Sequence, residues 1–208
     1  MGKVIFSYRV KNDTGFAPCI DHGLFTIACC KGGQIRNGKN VLTGVRYHVG
    51  KHWLQNPDDE IYILGIYKHK LLYYAKSTNV VSMTDYFSKE MKSQLGKRTD
   101  HIYNAKAGAL HRNNHLPDIH PKGDPQNQKD ANGVYVVISD LFSYYGMSAP
   151  LIPYNVLTVL PKFRENLTYH ETDAAFKIIS EYIDGVVLFD GVTGLPHKPL
   201  DIPKWRGF

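Results

Sequence analysis

Residues 4–10, with the sequence VIFSYRV, lead through two polar residues into residues 13–18, with the sequence DTGFAP. The first segment is rich in β-branched and aromatic residues, which predicts a buried strand. In the second, glycine and proline exclude regular structure and hold a carboxylate, a hydroxyl and a ring just beyond the strand. Strand-end loops often carry functional side chains. The alternative is a tight turn in which Asp13 caps backbone N–H groups and Phe16 packs into the core.

The charge distribution favours a partner that carries phosphate. The chain has a net charge of +6 and a pI near 9.1, which suits a polyanion but also fits an ordinary solvated basic surface. The interval from residue 31 to residue 51 is more specific, because it holds basic residues and no acid: Lys31, Arg36, Lys39, Arg46 and Lys51. We expect phosphate to bind in this interval.

The composition is that of a globular soluble protein, with 43% hydrophobic and 21% charged residues. No apolar run approaches the roughly 20 residues that span a bilayer, and the apolar run near the amino terminus is too short for a signal peptide. Three cysteines, two of them adjacent, favour free thiols over a disulfide framework. These features predict a cytoplasmic protein without a membrane partner. They leave the cofactor and the oligomeric state unknown.

The sequence offers few metal ligands and none of the common catalytic motifs. Cys19, His22, Cys29 and Cys30 lack the usual spacing of a zinc site. Three histidines are closely spaced in a polar segment, where a metal site competes with a mobile substrate-covering loop and a plain surface loop: His111, His115 and His120. We predict no metal site. The motifs GxGxxG, GxxxxGK[ST], HExxH and GxSxG and the zinc-deaminase pattern are all absent.

Hydrophobic periodicity predicts an α+β fold. Strand-like segments lie at residues 4–10, 24–30, 45–49, 60–67, 71–76, 133–138 and 186–189, with a hairpin turn at 67–70. Helical spacing predicts helices over residues 82–95 and 172–183. We expect a mostly antiparallel, partly open, barrel-like sheet with two or three helices.

The chain shows no linker or internal repeat, so the sequence predicts a single domain over residues 1–208. Residues 96–133 are polar and contain three prolines, which predicts a long loop or insertion. Residues 192–208 are rich in proline and glycine without a period, which predicts an irregular tail.

Several segments together resemble one known family. They are the turn at 13–18, the Cys30-Lys31 pair after an apolar strand, the dipeptides Ile35-Arg36 and Ile102-Tyr103, and the strand at 137–139 that runs into FSYYG at 142–146. In this order they resemble the second of the nucleotide modification associated domains, a set of bacterial and phage proteins. The resemblance implies action beside enzymes that hypermodify DNA bases. It also implies that the partners are a nucleotide or DNA and a DNA-modifying enzyme.

The candidate site residues follow from these segments together with the resemblance. Asp13 is expected to be a general base or a sugar-binding carboxylate, and His22 or His170 to transfer a proton. The expected nucleotide and phosphate contacts are Thr14, Phe16, Lys31, Arg36, Ser139, Tyr144 and Tyr145. Three functions stay open: an enzyme that transfers a group to a nucleotide or DNA base, a non-catalytic reader of modified bases or nucleotides, and an accessory subunit of a modifying enzyme.

Overall fold

The computed structural model describes residues 1–113, 123–163 and 165–199. The strands in these ranges are β1 (Lys3–Arg9), β2 (Cys19–Asp21), β3 (Leu24–Ile27), β4 (Gln34–Arg36), β5 (Lys39–Val41), β6 (Glu60–Tyr67), β7 (Lys70–Lys76), β8 (Asn79–Ser82), β9 (Tyr103–Lys106), β10 (Ala109–Arg112), β11 (Tyr135–Ser139), β12 (Leu141–Tyr144), β13 (Asn166–His170) and β14 (Gly191–Val192). The helices are α1 (Val45–Gln55), α2 (Met83–Tyr86), α3 (Lys89–Leu95), α4 (Asp124–Ala131), α5 (Tyr154–Leu157) and α6 (Ala174–Asp184), with a 3₁₀ turn at Gly146–Ser148.

The larger sheet has six strands in the order β13-β1-β6-β7-β12-β14. β1 runs parallel to β6, and β12 runs parallel to β14. β7 is antiparallel to both of its neighbours, β6 and β12. β1, β6, β12 and β14 therefore all point the same way, and their carboxyl ends lie together at one end of the sheet, across the direction of the strands. We call this end of the sheet the strand-end edge.

Alternation along β1 divides the core between two faces of this sheet. Val4, Phe6 and Tyr8 pack with residues of the second sheet, which has four antiparallel strands in the order β2-β3-β11-β8. Ile5 belongs to the cluster on the other face, which α6 covers with side chains at helical spacing: Phe176, Ile179 and Ile183. The fold is thus layered, and both faces of the larger sheet are buried.

The structure confirms the predicted α+β fold with mostly antiparallel strands, and the sheets are open. The strands predicted at 4–10, 60–67 and 71–76 correspond to β1, β6 and β7, and the helix predicted at 172–183 corresponds to α6. The described residues contain more helices than the two or three predicted, because single-turn helices such as α2 and α5 are too short to show a period. All three cysteines are free thiols. The division into a single domain stays a prediction.

Some predicted boundaries are wrong. Residues 45–49 begin α1, because Val45 and Val49 lie four residues apart on a buried helix face, although their β-branched side chains suggested a strand. Residues 186–189 form no strand, and the short β14 follows them. The segment 96–133 contains the β9–β10 hairpin and α4 rather than a continuous loop. His115 and His120 of that segment lie outside the described residues.

A buried ion pair lies in the segment that follows α3, and hydrogen bonds connect it to the second sheet. Arg98 Nε lies 3.4 Å from Asp100 Oδ1, and these side chains are 1% and 0% exposed. The Thr26 hydroxyl donates a hydrogen bond of 2.5 Å to Asp100 Oδ2, and the Tyr86 hydroxyl donates to the same carboxylate at 3.0 Å. These contacts offset the cost of removing the carboxylate from water.

The neighbouring His101 makes the stability of the fold sensitive to acid. It packs against the rings of Tyr86 and Phe87, and its buried Nε2 forms no hydrogen bond with the described residues. Burial lowers the pKa of His101 to about 4 from its ordinary value of 6.5. As the pH falls, His101 takes up a proton in the unfolded chain before it does so in the folded protein. The contribution of His101 to the unfolding free energy is therefore intact above about pH 6.5 and is lost progressively toward about pH 4.

We expect this single group to remove about 3 kcal/mol of the unfolding free energy at about pH 4. The His101→Phe variant keeps a ring in the aromatic cluster and has no titrating group. Urea unfolding of both proteins between about pH 7 and pH 4 should therefore show that the variant loses less stability than the wild type. An equal loss of unfolding free energy in the two proteins would contradict the assignment of this acid sensitivity to His101.

Candidate functional site

Four candidate side chains lie at the strand-end edge, each at the end of a different strand or beyond it. β1 leads to Asp13, β6 ends at Tyr67, β12 ends at Tyr144, and the chain beyond β14 reaches His197. β1, β6, β12 and β14 point the same way, so these positions converge although they are far apart in sequence. Crevices at the carboxyl ends of strands are common ligand sites in open sheets.

Asp13 lies at the centre of this edge, and both of its carboxylate oxygens have hydrogen-bond partners. Its side chain is 1% exposed. The Tyr144 hydroxyl donates a hydrogen bond of 2.5 Å to Oδ1, and the backbone N–H of His197 donates one of 2.9 Å to Oδ2. Burial and the adjacent Asp13 carboxylate raise the pKa of Tyr144, so this phenol stays protonated as a donor. The carboxylate therefore positions its neighbours and is not itself open to a ligand.

His197 is the neighbour that Asp13 orients most directly. Its Nδ1 lies 2.8 Å from Asp13 Oδ2, and its ring packs on Tyr67 with centroids 4.4 Å apart. A carboxylate at Nδ1 holds the proton there in the neutral imidazole, which leaves the Nε2 lone pair as the acceptor. No described residue forms a hydrogen bond with Nε2, and the side chain is 20% exposed. The pair thus has the arrangement of a histidine general base that a carboxylate orients.

The Cys30-Lys31 turn lies at the same edge in a strained conformation. Cys30 and Lys31 have φ values of +61° and +52°, which side chains with a Cβ rarely adopt. The Asp130 carboxylate accepts from the Cys30 N–H at 3.1 Å, and Arg46 Nε donates to the Cys30 carbonyl at 2.7 Å. Gly44 packs so closely that a Cβ there would lie 1.9 Å from the Lys31 carbonyl oxygen. The fold therefore fixes the position of Lys31.

A cleft of about 210 Å³ opens between this turn, the end of β1 and the amino end of α1. Its basic lining residues are Arg9, Lys11 and Lys31, and its one acidic lining residue is Glu165. Arg9 already donates hydrogen bonds to the carbonyls of Pro161 and Lys68. The cleft carries net positive charge, which suits an anionic ligand.

Tyr8 connects the cleft to the Asp13–His197 pair. It lines the cleft, and Lys31 Nζ lies 5.3 Å from the centroid of its ring. Burial raises the pKa of Tyr8, and Cys30 and Asp13 raise it further. Arg9, which also lines the cleft, pairs with Ile66 next to Tyr67, and Lys11 of the lining precedes Asp13 by two residues. The basic cleft and the oriented histidine are therefore adjacent parts of one candidate site.

Three of the predicted site residues meet at this site, namely Asp13, Tyr144 and Lys31. Asp13 holds His197 instead of facing a ligand, and Tyr144 donates to Asp13 instead of stacking on a base. Thr14 follows Asp13 and is half-buried.

The other predicted residues lie elsewhere. His22 is exposed in the β2–β3 turn, where its Nε2 lies 3.2 Å from the Lys97 carbonyl. His170 pairs with Val4 at the opposite edge of the larger sheet. Arg36 is exposed on β4 and donates to the Gln34 side chain.

Three further candidates pack or bond within the fold. Phe16 is 3% exposed in the cluster behind the second sheet. The Ser139 hydroxyl lies within hydrogen-bond distance of the main-chain carbonyls of Lys76, at the end of β7, and Leu141, at the start of β12. The Tyr145 hydroxyl donates to the Val186 carbonyl on the far face of the sheet. The roles assigned to these residues from sequence stay predictions without support from their positions.

Sequence reasoning missed His197, Tyr8 and Tyr67. His197 lies in the segment predicted as an irregular tail, 184 residues from Asp13 along the chain. Its only local signal is a His-Lys pair between two prolines at 196–199. Tyr8 and Tyr67 belong to strands, where aromatic residues are ordinary core residues.

The described residues offer neither a metal-binding cluster nor a helix that could span a membrane. Residues 1–113, 123–163 and 165–199 contain no group of three or more histidine, cysteine, aspartate and glutamate side chains that could hold a metal ion. No helix in the same part of the chain combines the length and the apolar character needed to cross a membrane.

The comparisons with known proteins give one family match. The profile of the family described as nucleotide modification associated domain 2 matches residues 2–198. No curated protein and no solved structure gives a significant match to the chain. The matched range includes every side chain of the site described above.

Proposed function

Because the chain belongs to the nucleotide modification associated domain 2 family, we propose that it binds a nucleotide, free or within DNA, at the strand-end edge and transfers a group to it. The observation that carries this proposal is the oriented His197 beside a basic cleft, with Nδ1 on Asp13 and with no described residue bonded to Nε2. A general base and a cationic pocket are what group transfer to a nucleotide requires.

In this proposal His197 Nε2 removes a proton from a hydroxyl or amino group of the nucleotide. The freed electron pair of that oxygen or nitrogen attacks the electrophilic atom of an activated group donor, and the leaving group of the donor departs with its bonding pair. Asp13 stabilises the imidazolium that forms, through the hydrogen bond to Nδ1. Tyr144 keeps Asp13 in place from the other side.

A reader of nucleotides is the second candidate, and the Tyr67–His197 ring pair favours it. The two rings lie 4.4 Å apart at the mouth of the site and could support a base by stacking without any proton transfer. Stacking on an aromatic ring contributes about 1–3 kcal/mol per base. The reader and the enzyme share the binding site and differ only in the need for the His197 lone pair.

Thermal unfolding with a panel of ligands tests the binding site that both functions share. The panel contains deoxynucleosides, their mono- and triphosphates, nucleotide sugars, and short single- and double-stranded DNA. A ligand at 100 times its Kd stabilises the fold by about 2.7 kcal/mol. In a chain of this size that raises Tm by about 5–10 °C.

The expected result is a rise in Tm with at least one nucleotide class. Tyr67→Ala, which removes the ring at the strand-end edge, should reduce the rise. Tyr62→Ala is the matched control, because Tyr62 lies near the amino end of the same strand and packs on Tyr74. An equal response of the two variants would argue against the strand-end edge as the nucleotide site.

A further inference from the structure

We infer that the cleft beside the amino end of α1 is the subsite for a single phosphate group of the nucleotide, which is either a deoxynucleoside monophosphate or one phosphodiester of DNA. This inference rests on the proposed function and adds the part of the ligand that the cleft recognises. It assigns the phosphate to Lys31, Lys11 and the Tyr8 hydroxyl, together with the first N–H groups of the helix.

The amino end of α1 is free of the groups that normally satisfy a helix start. Its N-cap is Gly44, which has no side chain to bond the first N–H groups, and the first turn contains no acid. Thr43, Gly44 and Val45 line the cleft, and the N–H groups of Val45 and Arg46 have no hydrogen-bond partner among the described residues. The positive end of a helix dipole and its unbonded N–H groups favour an anion.

Tyr8 gives a second and independent sign of a ligand. Its side chain is 2% exposed and lines the cleft, yet its buried hydroxyl has no hydrogen-bond partner among the described residues. An unpaired buried hydroxyl is costly and rare in native proteins, so each case needs an explanation. Lys31 Nζ lies 5.3 Å from the centroid of the same ring, and we assign the missing hydrogen bond of this hydroxyl to a phosphate oxygen in the cleft.

The charged residues that line the cleft have the net positive charge that suits one phosphate group. Lys11 is exposed, Lys31 is half-buried on its fixed turn, and Glu165 on the rim offsets part of their charge. A cleft of about 210 Å³ is smaller than the roughly 300–1,000 Å³ of pockets that enclose a whole ligand. It therefore holds the phosphate and part of the sugar, while the base extends toward Tyr67 and His197.

Isothermal titration calorimetry with deoxyadenosine, deoxyadenosine monophosphate and inorganic phosphate tests the subsite. We expect the monophosphate to bind at least about 10-fold more tightly than the nucleoside, since the lysine side chains and the phosphate form charge-assisted hydrogen bonds. Lys31→Ala should remove this preference. Lys39→Ala, which deletes an exposed lysine on β5 outside the cleft, should keep it.

Tyr8→Phe separates a ligand contact from a structural role. Because the hydroxyl has no partner, its removal should leave the unfolding free energy unchanged or raised, while the affinity for the monophosphate falls about 3–10-fold. Equal affinity for the nucleoside and the monophosphate, or equal losses in Lys31→Ala and Lys39→Ala, would overturn the inference. A short single-stranded oligonucleotide, titrated in the same way, shows whether the phosphate belongs to a free nucleotide or to DNA. Tighter binding than the monophosphate indicates a phosphodiester of DNA.

His197→Gln distinguishes this inference from the proposed function. The subsite predicts that this variant keeps its preference for the monophosphate over the nucleoside, because His197 does not line the cleft. If that preference survives while no nucleotide is modified by the wild type, the phosphate subsite stands and group transfer fails. If modification occurs without a phosphate preference, the subsite fails and group transfer stands.

Discussion

The His197→Gln variant is expected to modify nucleotides about 10²–10⁴-fold more slowly than the wild type, which is the usual contribution of a general base. Glutamine keeps a polar side chain near Asp13, but it has no lone pair of comparable basicity at the position of Nε2. Mass spectrometry of deoxynucleoside monophosphates incubated with the protein and a nucleotide-sugar donor measures the loss. Binding of the monophosphate should change far less than the rate.

Two further variants make this result specific. Asp13→Asn should also slow the reaction, because an amide N–H placed at Nδ1 would favour the wrong histidine tautomer. His170→Gln should react normally, because His170 lies at the opposite edge of the sheet. Unchanged modification by His197→Gln would remove the proposed base and leave the reader as the better account of the site.

The Arg46→Ala variant is expected to lose about 3–5 kcal/mol of unfolding free energy. Arg46 is 0% exposed and donates to the main-chain carbonyls of Cys30, Tyr135 and Asp130 at 2.7, 2.8 and 2.5 Å. Removing it takes one donor from each of these carbonyls, of which the Asp130 carbonyl still accepts from the Gly133 N–H, and it leaves the Asp130 carboxylate without the positive charge that offsets it. Urea unfolding followed by circular dichroism measures the difference.

Arg36→Ala is the matched control for Arg46→Ala. It removes an exposed arginine of the same basic interval, so its effect on stability should stay within about 0.5 kcal/mol. If Arg46→Ala does not fold, Arg46→Lys keeps the positive charge but lacks the fork of donors, and it should still be clearly less stable than the wild type. Stability equal to the wild type in Arg46→Lys would show that the three carbonyl contacts contribute little.

The sequence predicts correctly those strands and helices whose apolar residues recur at regular spacing along the chain. β1 and β6 alternate between two buried faces, and α6 repeats its apolar residues at helical spacing, so each pattern identifies its element. α1 was misassigned because its buried face has only Val45 and Val49 as apolar residues, and both are β-branched. Its other large buried side chain, Arg46, is charged and is stabilised by carbonyls distant in sequence.

The candidate site was predictable only in part, because its contacts are long-range. Asp13 and Tyr144 were selected because they follow strands, and the parallel direction of β1 and β12 brings them together. His197 has no period and no motif around it, so only the closed fold shows that it meets Asp13. His22 is a candidate because it follows the turn at 13–18 closely, and His170 because a histidine can transfer a proton, but nothing local in the sequence shows which end of a sheet either residue occupies.

Nuclear magnetic resonance of the protein with ¹⁵N-labelled histidine tests the central claim most directly, because it reports each imidazole during a nucleotide titration. The His197→Gln variant identifies the signal of His197 among the ten histidines. The account predicts that free His197 is protonated at Nδ1, and that deoxyadenosine monophosphate shifts its Nε2 signal while the His22 and His170 signals stay in place. A titration in which His170 or His22 responds and His197 does not would contradict it.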